Sequence, residues 1–486
     1  MSEREFDVVV VGAGPAGEVC AGRLADNGMS VALVERELIG GECSFYACMP
    51  SKALLRPAQA LAEARRVPGA AQAATGVLDV SAVLRRRDEV VHGLDDSTHL
   101  PWVEERGIVL VRGHGALAGK RLVAVRAAVA GGADTGASGS PGQAAERAGE
   151  AAEVLLRARR AVVLAPGSGA LLPPIPGLRE ARPWTNREAT TASAVPASLL
   201  VLGGGVVGVE MAQAYTSLGA RVTIVEALPR LIAGEEEFAS EQVREALEQA
   251  GAEVAVGVKA SAVKRAGERG AVTVELEDGR SYSADELLVC VGRRPHTAEL
   301  GLESLGLAGG RPVEVDETLR VAGHDWLYVV GDANGRVLLT HMGKYQARFA
   351  VDHILGRLDG TERLRLDGHR APRVIFTEPQ VAAVGYTLDG AREAGLNVRA
   401  VDCPIEGNAG GSFVGHGAPG TARLVVDEDR RVLAGATFTG VEVAEQLHAA
   451  TIAIVGEVPL ERLWHAVPCF PTRSEVWLKL LEEYGL

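Results

Sequence analysis

Two cysteines in this chain are spaced for chemistry. Cys43 and Cys48 stand five residues apart in GGECSFYACMPSK (40–52), while Cys20, Cys290, Cys403 and Cys469 are scattered. A close pair of sulfurs can hold and release two electrons as disulfide and dithiol. On an ideal helix, five residues rise about 7.5 Å. A disulfide tolerates Cα separations of only about 4.4–6.8 Å. Bridging therefore requires an irregular segment just ahead of a helix starting near Pro50, whose N-terminus would favour a thiolate. Two unrelated core thiols remain an equally open reading of the spacing. Zinc is less favoured, because no second Cys/His pair with ligand spacing accompanies them. No metal site is expected.

A second constellation occurs twice. Residues 6–35 (FDVVVVGAGPAGEVCAGRLADNGMSVALVE) and 198–226 (SLLVLGGGVVGVEMAQAYTSLGARVTIVE) each read as a buried strand, a glycine turn, a helix and a strand ending in an acid. Gly12, Gly14 and Gly17 open the first helix; Gly203, Gly205 and Gly208 open the second. Glu35 and Glu226 follow their first glycines by the same interval, near the ~20-residue offset of a ribose-binding acid. The glycines permit a tight turn and close backbone approach to a pyrophosphate at the positive end of the helix. One such motif is weak evidence; two in matching contexts predict two dinucleotide sites.

The elements that must position these residues follow from the whole chain. At 486 residues it is long enough for two to four domains. Its 47% hydrophobic and 23% charged composition is globular rather than disordered. A net charge of −13 disfavours general binding to nucleic acid or anionic membrane. The first residues carry no apolar leader pattern, and no apolar run reaches the ~18–20 residues of a membrane span. With few cysteines as well, a cytoplasmic protein is expected. Residues 130–149 are small, polar and glycine-rich, and read as a flexible loop inserted into a hairpin. From about Pro372 onward, short strands alternate with helical patterns at 441–455 and 474–484, as in a third, α+β domain.

GAGPAG with Glu35, GGECSFYACMPSK, APGS (165–168), GGGVVGVE, VGRRP (291–295), YVVGD (328–332) and FTEPQVAAVGYT (376–387) occur in the order found in the pyridine nucleotide-disulfide oxidoreductases. The chain resembles that family, with its dihydrolipoamide dehydrogenases, mercuric reductases and glutathione reductases, over nearly its whole length. The resemblance implies an α/β fold class: two Rossmann-like dinucleotide-binding domains, for FAD and NAD, and a C-terminal α+β dimerisation domain. It implies FAD-binding segments at 1–165 and 298–368, an NAD(P)-binding segment at 166–297, and an interface domain at 369–486 that makes a homodimer. Gly12, Gly14, Gly17, Glu35, Arg36, Gly41, Gly115, Gly167 and Asp332 would hold FAD, with Lys52, His341 and Met342 near its ring. Gly203, Gly205, Gly208, Glu226 and Gly292 would bind the nicotinamide nucleotide, with Glu210 next to the flavin and paired to Lys52. Cys48 would be the flavin-facing thiol and Cys43 the thiol that meets substrate. Cys20 and Cys290 read as core thiols.

Cofactor choice has a physical basis. Glu226 would repel a 2′-phosphate and accept from a 2′-hydroxyl, so NAD(H) is expected over NADP(H), although Arg230 lies only four residues on.

The C-terminal motif departs from the family pattern. The thiol-handling members resembled here carry His-Pro-Thr-x-Ser-Glu, in which the His moves a proton and the Glu orients it. Pro471-Thr-Arg-Ser-Glu475 keeps the tail of that motif, with Glu475 in place, but the residue before Pro471 is Phe470. A phenyl ring cannot shuttle a proton, and a general acid/base is typically worth 10²–10⁴-fold. The expectation is a flavin-dependent oxidoreductase passing hydride from NADH to FAD and on to the Cys43–Cys48 disulfide and a small-molecule acceptor, but not an efficient dihydrolipoamide dehydrogenase. The alternative is an NAD(P)H-dependent quinone or metal-ion reductase acting directly from flavin. Cys469, beside Phe470, reads equally as an extra substrate-facing thiol or a structural one.

Overall fold

A computed structural model describes residues 3–127, 153–268, 270–358 and 361–486. The insertion expected at 130–149 lies outside the described residues. The chain divides into two compact units: Met1–Phe45, Leu94–Gly169 and Arg294–Leu364 form one, and Tyr46–Gly93, Ala170–Arg293 and Arg365–Leu486 the other.

The first unit is built on a sheet whose centre is parallel. Its strands run in the order Val109–Arg112, Val31–Glu35, Glu3–Val11, Glu153–Leu164 and His324–Val329, with Arg320–Val321 at the edge. The central strands are unbroken valine, alanine and leucine runs because both faces are covered, which is how parallel strands read in sequence. On one face, Cys20, Ala21 and Leu24 of the helix Pro15–Asp26 share a core with Ala347, Ala350 and Val351 of the helix Thr340–Ile354. Burial there pushes the Cys20 thiol up to about 12, so it packs as a small apolar group. Strand Leu122–Arg126 runs antiparallel to Glu153–Leu164, with Arg126 opposite Glu153, as the expected hairpin requires.

In the second unit, a parallel sheet has the order Glu253–Ala255, Arg221–Val225, Ser198–Leu202 and Glu286–Val289. A three-stranded antiparallel sheet, Ala260–Arg265, Val272–Leu276 and Ser281–Ala284, accompanies it. The C-terminal part is a five-stranded antiparallel sheet ordered Arg373–Ile375, Gln380–Gly385, Val432–Gly440, Thr421–Asp427 and Val398–Pro404. The helices expected at 441–455 and 474–484 form later than the sequence pattern suggests, at Leu447–Val455 and Val476–Tyr484, each preceded by a 3₁₀ turn. The long helix Cys48–Arg66 also belongs to this unit, where Leu54 and Leu55 pack with Val209, Met211 and Ala212.

Candidate active site

The two glycine turns are built on the same plan. Gly12 and Gly203 adopt φ +100° and +111°, a region that favours glycine, and a Cβ on either would run into a carbonyl, that of Ala165 or Cys290. Gly17 and Gly208 let the helix sit on the turn: a Cβ there would lie 1.8 or 1.9 Å from the carbonyl oxygen of Gly12 or Gly203. Gly14 and Gly205, by contrast, face space in which a Cβ would meet nothing within 4 Å. Both are N-caps, of Pro15–Asp26 and Val206–Ser217, and glycine supplies no side-chain acceptor for the first-turn N–H groups.

The acids close the same loop in both copies. Glu35 accepts from the amides of Ala13 and Glu37, each at 2.7 Å. Glu226 accepts from those of Gly204 at 2.5 Å and Leu228 at 2.7 Å. Each carboxylate thus fixes the turn and its own strand end, and its oxygens keep further lone pairs for a ribose hydroxyl. Burial raises the Glu35 carboxyl above its ordinary range, against the pull of the two amides. Near Glu226, Arg230 spends one guanidinium nitrogen on the Glu235 carbonyl at 2.8 Å.

Other expected FAD residues sit in the first unit. Gly41 brings its backbone against the turn, since a Cβ there would stand 3.0 Å from the Gly14 Cα. Arg36 is exposed, just past Glu35. Gly115 lies in the strand His114–Gly119, where a Cβ would press on Val34 and Val11. The Gly167 carbonyl accepts the His296 amide at 3.0 Å. Asp332 receives the Ser168 hydroxyl at 2.5 Å. Its neighbour Gly331 donates to the buried Gln346 amide oxygen at 2.8 Å, which also holds Asn334. His341 is exposed in the first turn of Thr340–Ile354, whereas Met342 is buried.

The short helix Gly41–Phe45 carries Cys43 and the helix Cys48–Arg66 opens with the second cysteine. The helical geometry breaks at Ala47 (φ −135°, ψ −92°), and the longer helix starts two residues earlier than Pro50. One turn after Cys48, Lys52 donates to Glu210 at 2.7 Å. Glu210 is 4% exposed and also accepts the Phe376 amide at 2.9 Å. The Phe376 ring lies 4.6 Å from the Lys52 ammonium. A buried carboxylate with two donors is not an ordinary surface pair. In the same unit, the Gly292 carbonyl accepts the Leu171 amide at 3.0 Å. Burial pushes the Cys290 thiol up to about 12 and that of Cys403 to about 11.

At the C-terminal motif, Phe470 is 77% exposed and Cys469 is exposed beside it. Glu475 accepts the Gly410 amide at 3.3 Å.

Sequence reading missed Ser168, Gln346 and Phe376 as partners of these residues. Ser168 and Phe376 were visible inside the APGS and FTEPQ motifs. Gln346 had no signal beyond its helical position.

The family model for the pyridine nucleotide-disulphide oxidoreductases matches residues 6–347, and that for their dimerisation domain matches 371–481. The chain belongs to this family. It is 30% identical to a dihydrolipoyl dehydrogenase of Haloferax volcanii over 480 residues, covering 98% of this chain and 95% of that one. It is 27% identical to a mercuric reductase of Staphylococcus aureus over 475 residues, or 97% and 81% of the two chains. Among solved structures, LpdA from Mycobacterium tuberculosis superposes with a TM-score of 0.83 at 23% identity, over 100% of both chains. The Cu(II) complex of RclA, an HOCl-induced flavoprotein disulfide reductase of Escherichia coli, gives 0.81 at 23% identity over 99% of both. These two similarities concern the fold.

Members of the family are FAD-dependent and bind NAD(H). The residues present fit both nucleotides: two uncapped helix N-termini, each beside a glycine facing open space and a buttressed acid. Among the described residues, no cluster of three or more His, Cys, Asp or Glu could hold a metal, and no helix is long and apolar enough to cross a membrane.

Proposed function

We propose that the protein passes an electron pair from NADH, by way of FAD, to a Cys43–Cys48 disulfide and on to a small-molecule acceptor, working as a homodimer. In this reading, 1–165 and 298–368 serve FAD, 166–297 serves NAD(H), and 369–486 makes the dimer contact. Gly12, Gly14, Gly17, Glu35 and Asp332 would hold FAD, which would supply the two-electron link between NADH and the disulfide.

The observation that carries the reading is the Lys52–Glu210 pair. It joins the helix opened by Cys48 to the helix opened by the second glycine turn. Two electrons and one proton convert the disulfide to a Cys48 thiolate and a Cys43 thiol. The first-turn N–H groups of the 19-residue helix stabilise the negative sulfur at Cys48. Lys52 balances the charge of Glu210, so the helix that Cys48 opens carries no uncompensated buried carboxylate beside it. Cys43 then passes the electrons to the acceptor.

Phe470 favours a second reading, because a thiol substrate would find no imidazole there. A quinone or a metal ion reduced directly from flavin needs no thiol proton shuttle. NADH oxidation screened against disulfides, quinones and Hg²⁺, with wild type and Cys43→Ser, separates the two. Loss of turnover in the variant supports the thiol route, and unchanged turnover supports the second reading.

A further inference from the structure

Between the two cysteines lies Tyr46, the first residue of the second unit, and a helix of that same unit holds it from one side. The Tyr46 carbonyl accepts the Asn186 side-chain amide at 2.8 Å. The Thr190 hydroxyl is 3.1 Å from the same oxygen and 2.8 Å from the Asn186 carbonyl, so its single proton serves one or the other. The Arg187 guanidinium lies over the Tyr46 ring, 4.3 Å from its centroid. All three residues belong to one short helix, Asn186–Thr191.

That helix is itself anchored at both ends. Its N-terminus is a capping box in which Thr185 and Glu188 satisfy each other's backbone donors. Its last carbonyls are taken by side chains from the core. Arg87, 2% exposed, donates to Thr190 at 2.7 Å and to Ala192 at 2.9 Å, and the buried Tyr215 hydroxyl donates to Ala189 at 2.7 Å. Together they make the helix a rigid mount.

Resting on the Cys43–Cys48 reading above, we infer that Asn186, Arg187 and Thr190 are positioning residues that clamp the Tyr46 peptide and keep Cys48 in register when its bond to Cys43 is open. In the disulfide, the covalent link fixes this end of the segment. In the dithiol, the clamp does so together with the packed helix Cys48–Arg66 that follows it. Removing the clamp therefore releases conformational freedom mainly in the dithiol, which favours reduction. The clamp keeps the two thiols at high effective concentration for ring closure and makes the pair a stronger reductant.

The test is equilibration of the flavin-loaded protein with dithiothreitol buffers under anaerobic conditions. In the exchange, protein disulfide and reduced dithiothreitol give protein dithiol and oxidised dithiothreitol, with two electrons and two protons transferred. Alkylation and mass analysis of the 43–48 peptide then read the ratio. Asn186→Ala is expected to shift the equilibrium toward the dithiol by about 10-fold, equivalent to about 30 mV. Tyr46→Leu keeps the carbonyl but loses the ring contact, and is expected to shift it about threefold in the same direction. The second variant spares the buried amide, so it carries the test even if the first does not fold. A role confined to stability would lower the melting temperature and leave the ratio unchanged. Ratios equal to wild type in the folded variants would overturn the clamp alone. A wild-type protein in which Cys43 and Cys48 never exchange would overturn both the clamp and the reading it rests on.

Discussion

The Lys52 ammonium stands 2.7 Å from a Glu210 carboxylate that has almost no contact with solvent and whose other donor is the Phe376 amide at 2.9 Å. Lys52→Met would strand that charge with one hydrogen bond. Because Lys52 is 35% exposed, solvent screens part of the pair, and the expected loss is about 1–3 kcal/mol. Adding Glu210→Gln should recover most of the loss, since a neutral amide no longer buries an unpaired charge. Urea midpoints of the two single variants and the double variant measure this; an additive double variant would contradict the coupling.

The glycines that seat each helix on its turn give a paired prediction. Gly17→Ala should abolish FAD retention, and Gly208→Ala should abolish NADH binding while leaving FAD in place, because each new methyl group meets a carbonyl at under 2 Å. Overpacking of this kind costs about 1–3 kcal/mol or more. Flavin absorbance after gel filtration and NADH binding by calorimetry separate the two outcomes. Loss of flavin from the Gly208 variant would mean that the turns do not act independently.

NADH should be preferred to NADPH. Glu226 places a carboxylate at the strand end, and Arg230 has one nitrogen committed to the Glu235 carbonyl. Glu226→Ser removes the repulsion and should move the ratio of kcat/KM values toward NADPH by at least about 10-fold, the scale of one lost unfavourable contact. An unchanged ratio would place nucleotide choice elsewhere.

Glu35 predicts a pH dependence in the cofactor-free protein. Burial holds its carboxyl above the ordinary range in the folded chain. A group whose folded pKa exceeds its unfolded value, about 4.3, contributes its stability below that value and loses it as pH rises through the folded pKa. This group therefore lowers stability as pH rises above that unfolded value. Glu35→Gln should lower stability overall by losing an acceptor for the turn amides, yet flatten that slope. Denaturation midpoints at several pH values test it, and a slope as steep as wild type would contradict it.

Much of this was legible in the sequence because it depends on local spacing. The glycine turns, their acids and the flanking strands are set by short-range sterics and by burial of unbroken apolar runs. The interruption between Cys43 and Cys48 also follows from what a bridge between them would demand. The partners that complete these residues are distant in the chain: Phe376 on Glu210, Ser168 on Asp332, and Asn186 on Tyr46. Such pairings are fixed by tertiary packing, and neither periodicity nor propensity records them. Glu475 shows the limit differently. Its place in the motif was legible, whereas the Gly410 amide that donates to it is 65 residues away in the chain.

Phe470→His restores an imidazole beside Pro471, in the same stretch as Glu475. Dihydrolipoamide oxidation by NAD⁺ should rise on the order of 10²-fold, the lower part of the range for a general acid/base. Equal rates in wild type and variant would show that Phe470 is not what limits that reaction.

The central claim is that electrons from NADH reach the Cys43–Cys48 pair. Anaerobic addition of one equivalent of NADH to the purified flavoprotein, followed by alkylation and mass analysis of the 43–48 peptide, tests it most directly. Labelling of both sulfurs after NADH, with neither labelled before, is the predicted result. Bleaching of the flavin with the two cysteines labelled identically before and after NADH would contradict it.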